Sequence, residues 1–160
     1  MKTKNLSIET VLFSAFAFAT VLFSAFTISS CGADTPGCNQ ATATNYDVKA
    51  DANDGSCRYI CDATFWMDST TVANFATAEV TSLTYFLDGF DFGSSGVTTP
   101  YASAPECGAT GTLSISYNLN KEQSKTAVLV VKNQDDVEVY TTSIEFVGAT
   151  SGCITVEVIY

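Results

Sequence analysis

Cysteine is the residue type through which this chain offers most chemistry: six thiols stand at positions 31, 38, 57, 61, 107 and 153, and histidine is absent from all 160 residues. Without an imidazole there is no Ser-His or Cys-His nucleophile pair, no His-ligated zinc or haem, and no side chain that titrates near neutrality of its own accord. Cys57 and Cys61 are separated by three residues. Thioredoxin-like and zinc-binding pairs have two, so neither redox nor zinc chemistry is supported. Carboxylates are the other abundant reactive group, with Asp+Glu 17 against Lys+Arg 7 and a net charge of -10. That balance repels a phosphate backbone and argues against nucleic acid as a partner. A glycan-processing enzyme could recruit two of the acids, but it needs them flanking a cleft, and a small domain has little room for one.

The fate of the thiols depends on the compartment, and the N-terminus speaks to that. Lys2 and Lys4 precede an uncharged, mainly apolar stretch over residues 11–28, followed by Ser29, Ser30 and Cys31. This is the order of parts of an export signal. The block Val-Leu-Phe-Ser-Ala-Phe occurs at 11–16 and again at 21–26, a local duplication that lengthens the apolar core. Its 18 residues reach the lower bound for a membrane-spanning helix, so a retained anchor is the alternative. Residues 28–31, Ile-Ser-Ser-Cys, resemble a bacterial lipobox. That resemblance implies a lipoprotein: a signal peptide over 1–30, diacylglycerol on Cys31, and a short tether over 31–36. Several acyl chains hold a chain far more durably than one, at about 0.8 kcal/mol per buried CH₂. The part from residue 31 onward keeps 16 acidic and 5 basic side chains, a net of -11.

Residues 37–59 run from Gly37-Cys38 through Ala43, Asn45, Tyr46 and Ala50 to Asp54-Gly55-Ser56-Cys57-Arg58-Tyr59. They resemble a short Cys-bounded module of surface and secreted proteins of Bacteroidota. Gln40-Ala41 stands where that family usually has Asp-Pro. Twenty-three residues have too little apolar area for a core, and a Cys38 to Cys57 bridge would supply the missing constraint, at about 3 kcal/mol. Asp47, Asp51, Asn53 and Asp54 crowd side-chain oxygens into eight residues. They are read either as a calcium set, although the EF-hand register fails because the third ligand position from Asp51 falls on Gly55, or as plain turn chemistry around Asn53-Asp54-Gly55.

Residues 61–160 show a period of two. Leu113, Ile115, Tyr117 and Leu119 alternate with polar residues, and 127–131 is a short apolar run. Segments 64–67, 137–140, 144–147 and 154–158 read as further strands. Leu83, Tyr85 and Leu87 lead to Asp88-Gly89 and then Phe90-Asp91-Phe92, a hairpin signal. Residues 70–80 read as a loop or a single helical turn. The expected fold is mostly β: an antiparallel β-sandwich of about seven strands following the small disulfide-stapled module. Residues 85–93 are similar to the strand, Asp-Gly turn, strand pattern of PEGA-like β-domains of bacterial envelopes. Together with Phe65-Trp66, Cys107-Gly108 and Gly152-Cys153, the order also resembles a β-domain that recurs in Bacteroidota lipoproteins. That likeness implies a Cys107 to Cys153 pair with Cys61 as the odd thiol. Position alone places Cys107 and Cys153 at the entrances of strands and leaves the pairing of the three open.

Phe86, Phe90 and Phe92 are the candidate binding patch, if Phe86 points outward beside the other two; core filling is the competing role for these rings. The resulting expectation is a non-catalytic, lipid-anchored envelope or cell-surface protein, exported to the outer membrane or cell surface. Its sandwich would bind or build, with a glycan or another envelope protein as partner and no resident cofactor beyond the calcium candidate.

Overall fold

A computed structural model describes residues 34–148 and 152–160. Within it the alternation legible in the sequence becomes two facing sheets. The first is centred on β3 (Tyr59–Trp66), with β6 (Leu113–Asn120) antiparallel on one side and β9 (Cys153–Glu157) parallel on the other. The second has the order β5 (Phe90–Gly96), β4 (Ser82–Leu87), β7 (Ser124–Asn133), β8 (Glu138–Val147), all antiparallel. These seven strands form the sandwich. Two short strands, β1 (Pro36–Gly37) and β2 (Ala52–Asn53), pair in parallel within the module. The β3–β9 pair is the departure from an all-antiparallel plan: the last strand lies along the first of the sandwich, and the intervening chain serves as its crossover.

The core is what strict alternation dictates. Tyr59, Cys61, Ala63 and Phe65 point inward from β3, and Leu83, Tyr85 and Leu87 from β4. Ala127, Leu129 and Val131 do so from β7. Rings lock the sheets together: Phe65 meets Tyr85 at 5.1 Å between centroids, and Tyr117 meets Phe146 at 4.4 Å. Cys38, Ala43 and Cys57 of the module belong to the same buried cluster, so module and sandwich share one core.

Two expectations about elements change. Segments 137–140 and 144–147 are one continuous strand, because Thr142 and Tyr140 pair with Leu129 and Val131 of β7 and carry the ladder across the polar Thr-Thr-Ser stretch. Residues 69–77 form a full helix, α1 (Ser69–Thr77), rather than a loop or one turn. Its β-branched Thr70, Thr71 and Val72 are poor helix formers, which hides it from a propensity reading. Asp68 starts it as an N-cap, its Oδ1 accepting from the Thr71 amide at 2.6 Å, and Phe75 anchors it, fully buried against Tyr160 at 4.5 Å between centroids.

The hairpin joining β4 and β5 turns at Asp88 (φ 50) and Gly89 (φ 84), the two positive φ values that a two-residue turn of this hand requires. Asp88 also ties the hairpin to β6 and β7. Its Oδ1 accepts from the Val128 amide at 3.0 Å, and its Oδ2 lies 3.1 Å from Lys125 Nζ, which donates to the Tyr117 hydroxyl at 2.9 Å. The Val128 amide and then Lys125 hold the Asp88 carboxyl below the ordinary aspartate value of 3.8, while the bonds to Tyr117 and Asp88 raise Lys125 above 10.5. A lowered carboxyl contributes stability that is complete above the ordinary value and lost as pH falls through the lowered one. The raised lysine contributes fully below 10.5 and loses its share as pH rises through its folded value. Asp88→Asn keeps the turn and the Val128 cap and replaces the charged acceptor that faces Lys125 and Tyr117 with an uncharged N–H donor. Thermal melts are expected to show a loss of about 0.5 kcal/mol at pH 7, as for half-exposed ion pairs, that shrinks once pH falls below 3.8 and is gone only below the lowered value of the folded carboxyl.

Candidate functional site

The module is built as a loop held shut from several directions. Cys38 and Cys57 are joined by a disulfide with their Cα atoms 4.8 Å apart. Asn45 works both ways across the loop, donating from Nδ2 to the Ser56 carbonyl at 2.8 Å and accepting at Oδ1 from the Arg58 amide at 2.8 Å. Ala43 is buried beneath. Gly37 sits so close to Ala50 that a Cβ on it would lie 2.9 Å from that of Ala50, which explains two small residues there. Asp54-Gly55-Ser56 is a turn: Gly55 has φ 75, its amide donates to Asn53 Oδ1 at 2.9 Å, and the Ser56 amide donates to Asp54 Oδ1 at 2.8 Å. Most of the residues that carry the resemblance to the Cys-bounded module are thus occupied in folding it, while Tyr46 is exposed.

The four calcium candidates share that fate. Asp47 Oδ1 accepts from the Lys49 amide at 2.9 Å, and Asp51 Oδ1 accepts from the Thr35 amide at 2.6 Å, joining β2 to the chain before β1. With Asn53 and Asp54 engaged as above, each side chain closes a turn or a strand pair of its own. Among the described residues no three acidic, thiol or imidazole groups are grouped so as to hold a metal ion. The Ser56 hydrogen bonds hold Asp54 below the ordinary carboxylate value, as expected of a carboxylate that caps a turn.

The aromatic patch does not assemble. A register shift between Tyr85 and Phe86 makes Phe92 the extra residue of a bulge, and its ring packs on Tyr117 at 5.7 Å. Phe86 lies on the other side of its strand, half-buried, with Lys132 Nζ 5.4 Å above its ring. Phe90, at the hairpin tip, is 72% exposed and stands apart from both roles. The two-residue turn is the reason: it pairs Phe86 with Asp91, so Phe86 shares a face with that residue and not with its neighbours Phe90 and Phe92.

Of the remaining thiols, Cys107 and Cys153 form the second disulfide, with Cα atoms 6.2 Å apart, and Cys61 is free and buried. The strands they precede, β6 and β9, lie on opposite sides of β3 rather than side by side, so the bridge straps across the outer face of that strand. Thr64 is consequently buried under the strap although it points away from the core. Its hydroxyl shares a hydrogen bond with Ser114 Oγ at 2.6 Å and lies 3.7 Å from Cys153 Sγ. Cys61 lies between Tyr59 and Ala63 on the inner face, and burial pushes its thiol pKa up. Cys31 lies outside the described residues.

A feature that the sequence reading missed is the junction. Tyr59 ends the module and begins β3. Its hydroxyl donates to Gln40 Oε1 at 2.5 Å, and Gln123, on the turn between β6 and β7, donates to the same oxygen. Gly148 completes the contact: its amide donates to the Gln123 carbonyl at 2.7 Å, and a Cβ on it would fall 2.6 Å from that of Tyr59. Gln40, noted in sequence only as a departure from the module family, is the residue that keys the module to the sandwich. Beside this contact opens a recess of about 530 Å³, lined by Asn53, Tyr59, Lys121 and the two glutamines among others. No local pattern signals it, since Gln40 and Gln123 are 83 residues apart.

Comparison with family models, with curated proteins and with solved structures finds no match for this chain. Among the described residues no helix is long and apolar enough to cross a membrane.

The thiol geometry is open to direct measurement. In a chain carrying Cys31→Ser, peptide mapping without reductant should recover Cys38 linked to Cys57 and Cys107 linked to Cys153. Alkylation of the folded chain should leave Cys61 unmodified until denaturant is added, because both burial and the raised pKa deny the reagent a thiolate. Rapid labelling of Cys61 in the native state would contradict its place in the core.

Proposed function

We propose that this chain is an exported, lipid-anchored protein of the cell envelope or surface, whose β-sandwich serves as a non-catalytic binding or structural body. The observation that carries the reading is the pair of disulfides, one closing the module and one strapping β6 to β9 across β3. Crosslinks of this kind persist in oxidising compartments and are rare where thiols are kept reduced. In the chain-entropy model their loops are worth about 3 and 4 kcal/mol, a large share of the stability of a domain this size. A protein relying on both is suited to life outside the cytoplasm.

The anchor follows from the sequence before the described residues: Lys2 and Lys4, the apolar stretch over 11–28, and Ile-Ser-Ser-Cys at 28–31. Cys31 would carry the lipid and become the first residue of the mature chain. The resemblance of residues 37–59 to modules of Bacteroidota surface proteins, and of the sandwich to PEGA-like envelope domains, supports the same address. With the acids of the module engaged in turns and the aromatic rings dispersed, recognition through an aromatic platform at Phe86, Phe90 and Phe92 loses its footing. Polar contacts at the junction take its place as the ground for binding.

Expression in a bacterium that makes lipoproteins tests the anchor. Cells fed a radioactive or alkyne-tagged fatty acid should incorporate it into the chain, and Cys31→Ala should abolish incorporation and leave a precursor longer by the thirty residues of the signal. Normal maturation of Cys31→Ala, or its release as a soluble protein of mature size, would remove the lipoprotein reading.

A further inference from the structure

The recess at the junction has an unequal inventory of hydrogen-bonding groups. Gln40 Oε1 is saturated, accepting from both the Tyr59 hydroxyl and Gln123 Nε2. Asn53 Oδ1 is likewise taken by the Gly55 amide. What these residues leave toward the recess are donors. Gln40 Nε2 and Asn53 Nδ2 have no hydrogen-bond partner among the described residues, and neither does Lys121 Nζ. Each carboxamide nitrogen carries two N–H groups and the ammonium three. Lys121 forms no ion pair within 4 Å of its Nζ among the described residues, its charge reaching Asp54 only from beyond that distance, whereas Lys125 and Lys132 each have a carboxylate partner in contact. Gln123 Oε1 is a side-chain acceptor at the recess without a hydrogen-bond partner among the described residues.

From this we propose that the recess is a binding site for an acidic saccharide, a sugar chain that carries a carboxylate. The carboxylate meets Lys121, and the hydroxyls meet the carboxamides of Gln40, Asn53 and Gln123. The chemistry selects this class in three steps. Converging donors with one cation call for a ligand rich in acceptor oxygens and carrying negative charge. Carboxamides at fixed positions suit hydroxyl groups, which accept from N–H and donate to C=O. The recess, at about 530 Å³, lies within the size range of small-molecule sites, and the buried Tyr59 ring gives it a rigid floor. A net charge of -10 on the chain repels anions in general, so capture depends on this local arrangement rather than on the overall field. The site takes up the binding role proposed above, but it does not depend on the anchor.

The test titrates the full chain, held in detergent, with trigalacturonate and sialyllactose, and with galactotriose and lactose as their uncharged counterparts. Calorimetry supplies the affinity, and amide shifts locate the contact. Binding of at least one acidic sugar is expected, with shifts centred on Tyr59, Lys121 and Gln123, at least tenfold tighter than its uncharged counterpart. Lys121→Gln should weaken it at least tenfold with little change in melting temperature, because Lys121 is exposed and its electrostatic neighbour Asp54 is itself exposed and held chiefly by Ser56. Lys121→Glu, which sets a carboxylate against the ligand without touching the Gln40–Gln123 contact, should weaken the acidic sugar more than the uncharged one. Failure of both acidic sugars to bind at millimolar concentration, equal affinity for charged and uncharged sugars, or binding undiminished in Lys121→Gln would each overturn the proposal. None of these results bears on fatty-acid incorporation at Cys31, so this site and the anchor fail separately.

Discussion

Strand β3 is the constraint on which the rest of the structure depends. Its first residue, Tyr59, lies two positions after Cys57, so the disulfide that closes the module fixes the point at which the central strand of the smaller sheet begins. From there the inner face runs Tyr59, Cys61, Ala63, Phe65, and every one of these is buried. The outer face carries Thr64 beneath the Cys107–Cys153 strap. Both crosslinks therefore act on one strand, the first at its start and the second across its middle. A free cysteine at position 61 is tolerated on that strand because it is packed between Tyr59 and Ala63, where a thiol behaves as a small apolar side chain.

The distribution of charge fits the same plan. With seventeen acids against seven bases, the chain gains little from ion pairs and must place its carboxylates where they are useful without a counter-ion. Backbone amides answer that need. Asp47, Asp51, Asp54, Asp68 and Asp91 each accept from a nearby main-chain N–H. At Asp54 and Asp68 the amide bonds hold the carboxyl below its ordinary value, and at all five positions an acidic protein closes a local turn or contact with the residue type it has in excess. The same economy explains why a run of oxygens that looks like a calcium loop in sequence is a succession of turns in space.

The sheet faces were legible because their period is short and local: Leu113, Ile115, Tyr117 and Leu119 declare a buried face within one strand. The Asp88-Gly89 turn was legible for the same reason, since only residues that tolerate positive φ fit there. What escaped depends on contacts distant in sequence. Helix α1 forms despite weak local propensity because Phe75 is buried against Tyr160, eighty-five positions away. Phe92 packs on Tyr117, twenty-five positions away, from a bulge opposite Tyr85. The junction is the extreme case: Gln40 and Gln123 are polar, unremarkable in composition, and meet only after the module has docked. A rule that assigns function to clusters of reactive side chains passes over such a pair.

The central claim is that module and sandwich form a single folded body keyed at Tyr59, and heat capacity measured through the unfolding transition tests it most directly. With both disulfides intact, scanning calorimetry should give one transition, with the calorimetric enthalpy equal to the van't Hoff value. Gln40→Ala should shift that transition as a whole. A separate, smaller transition for the module, or a Gln40→Ala change confined to it, would show that the two parts fold independently and would contradict the account.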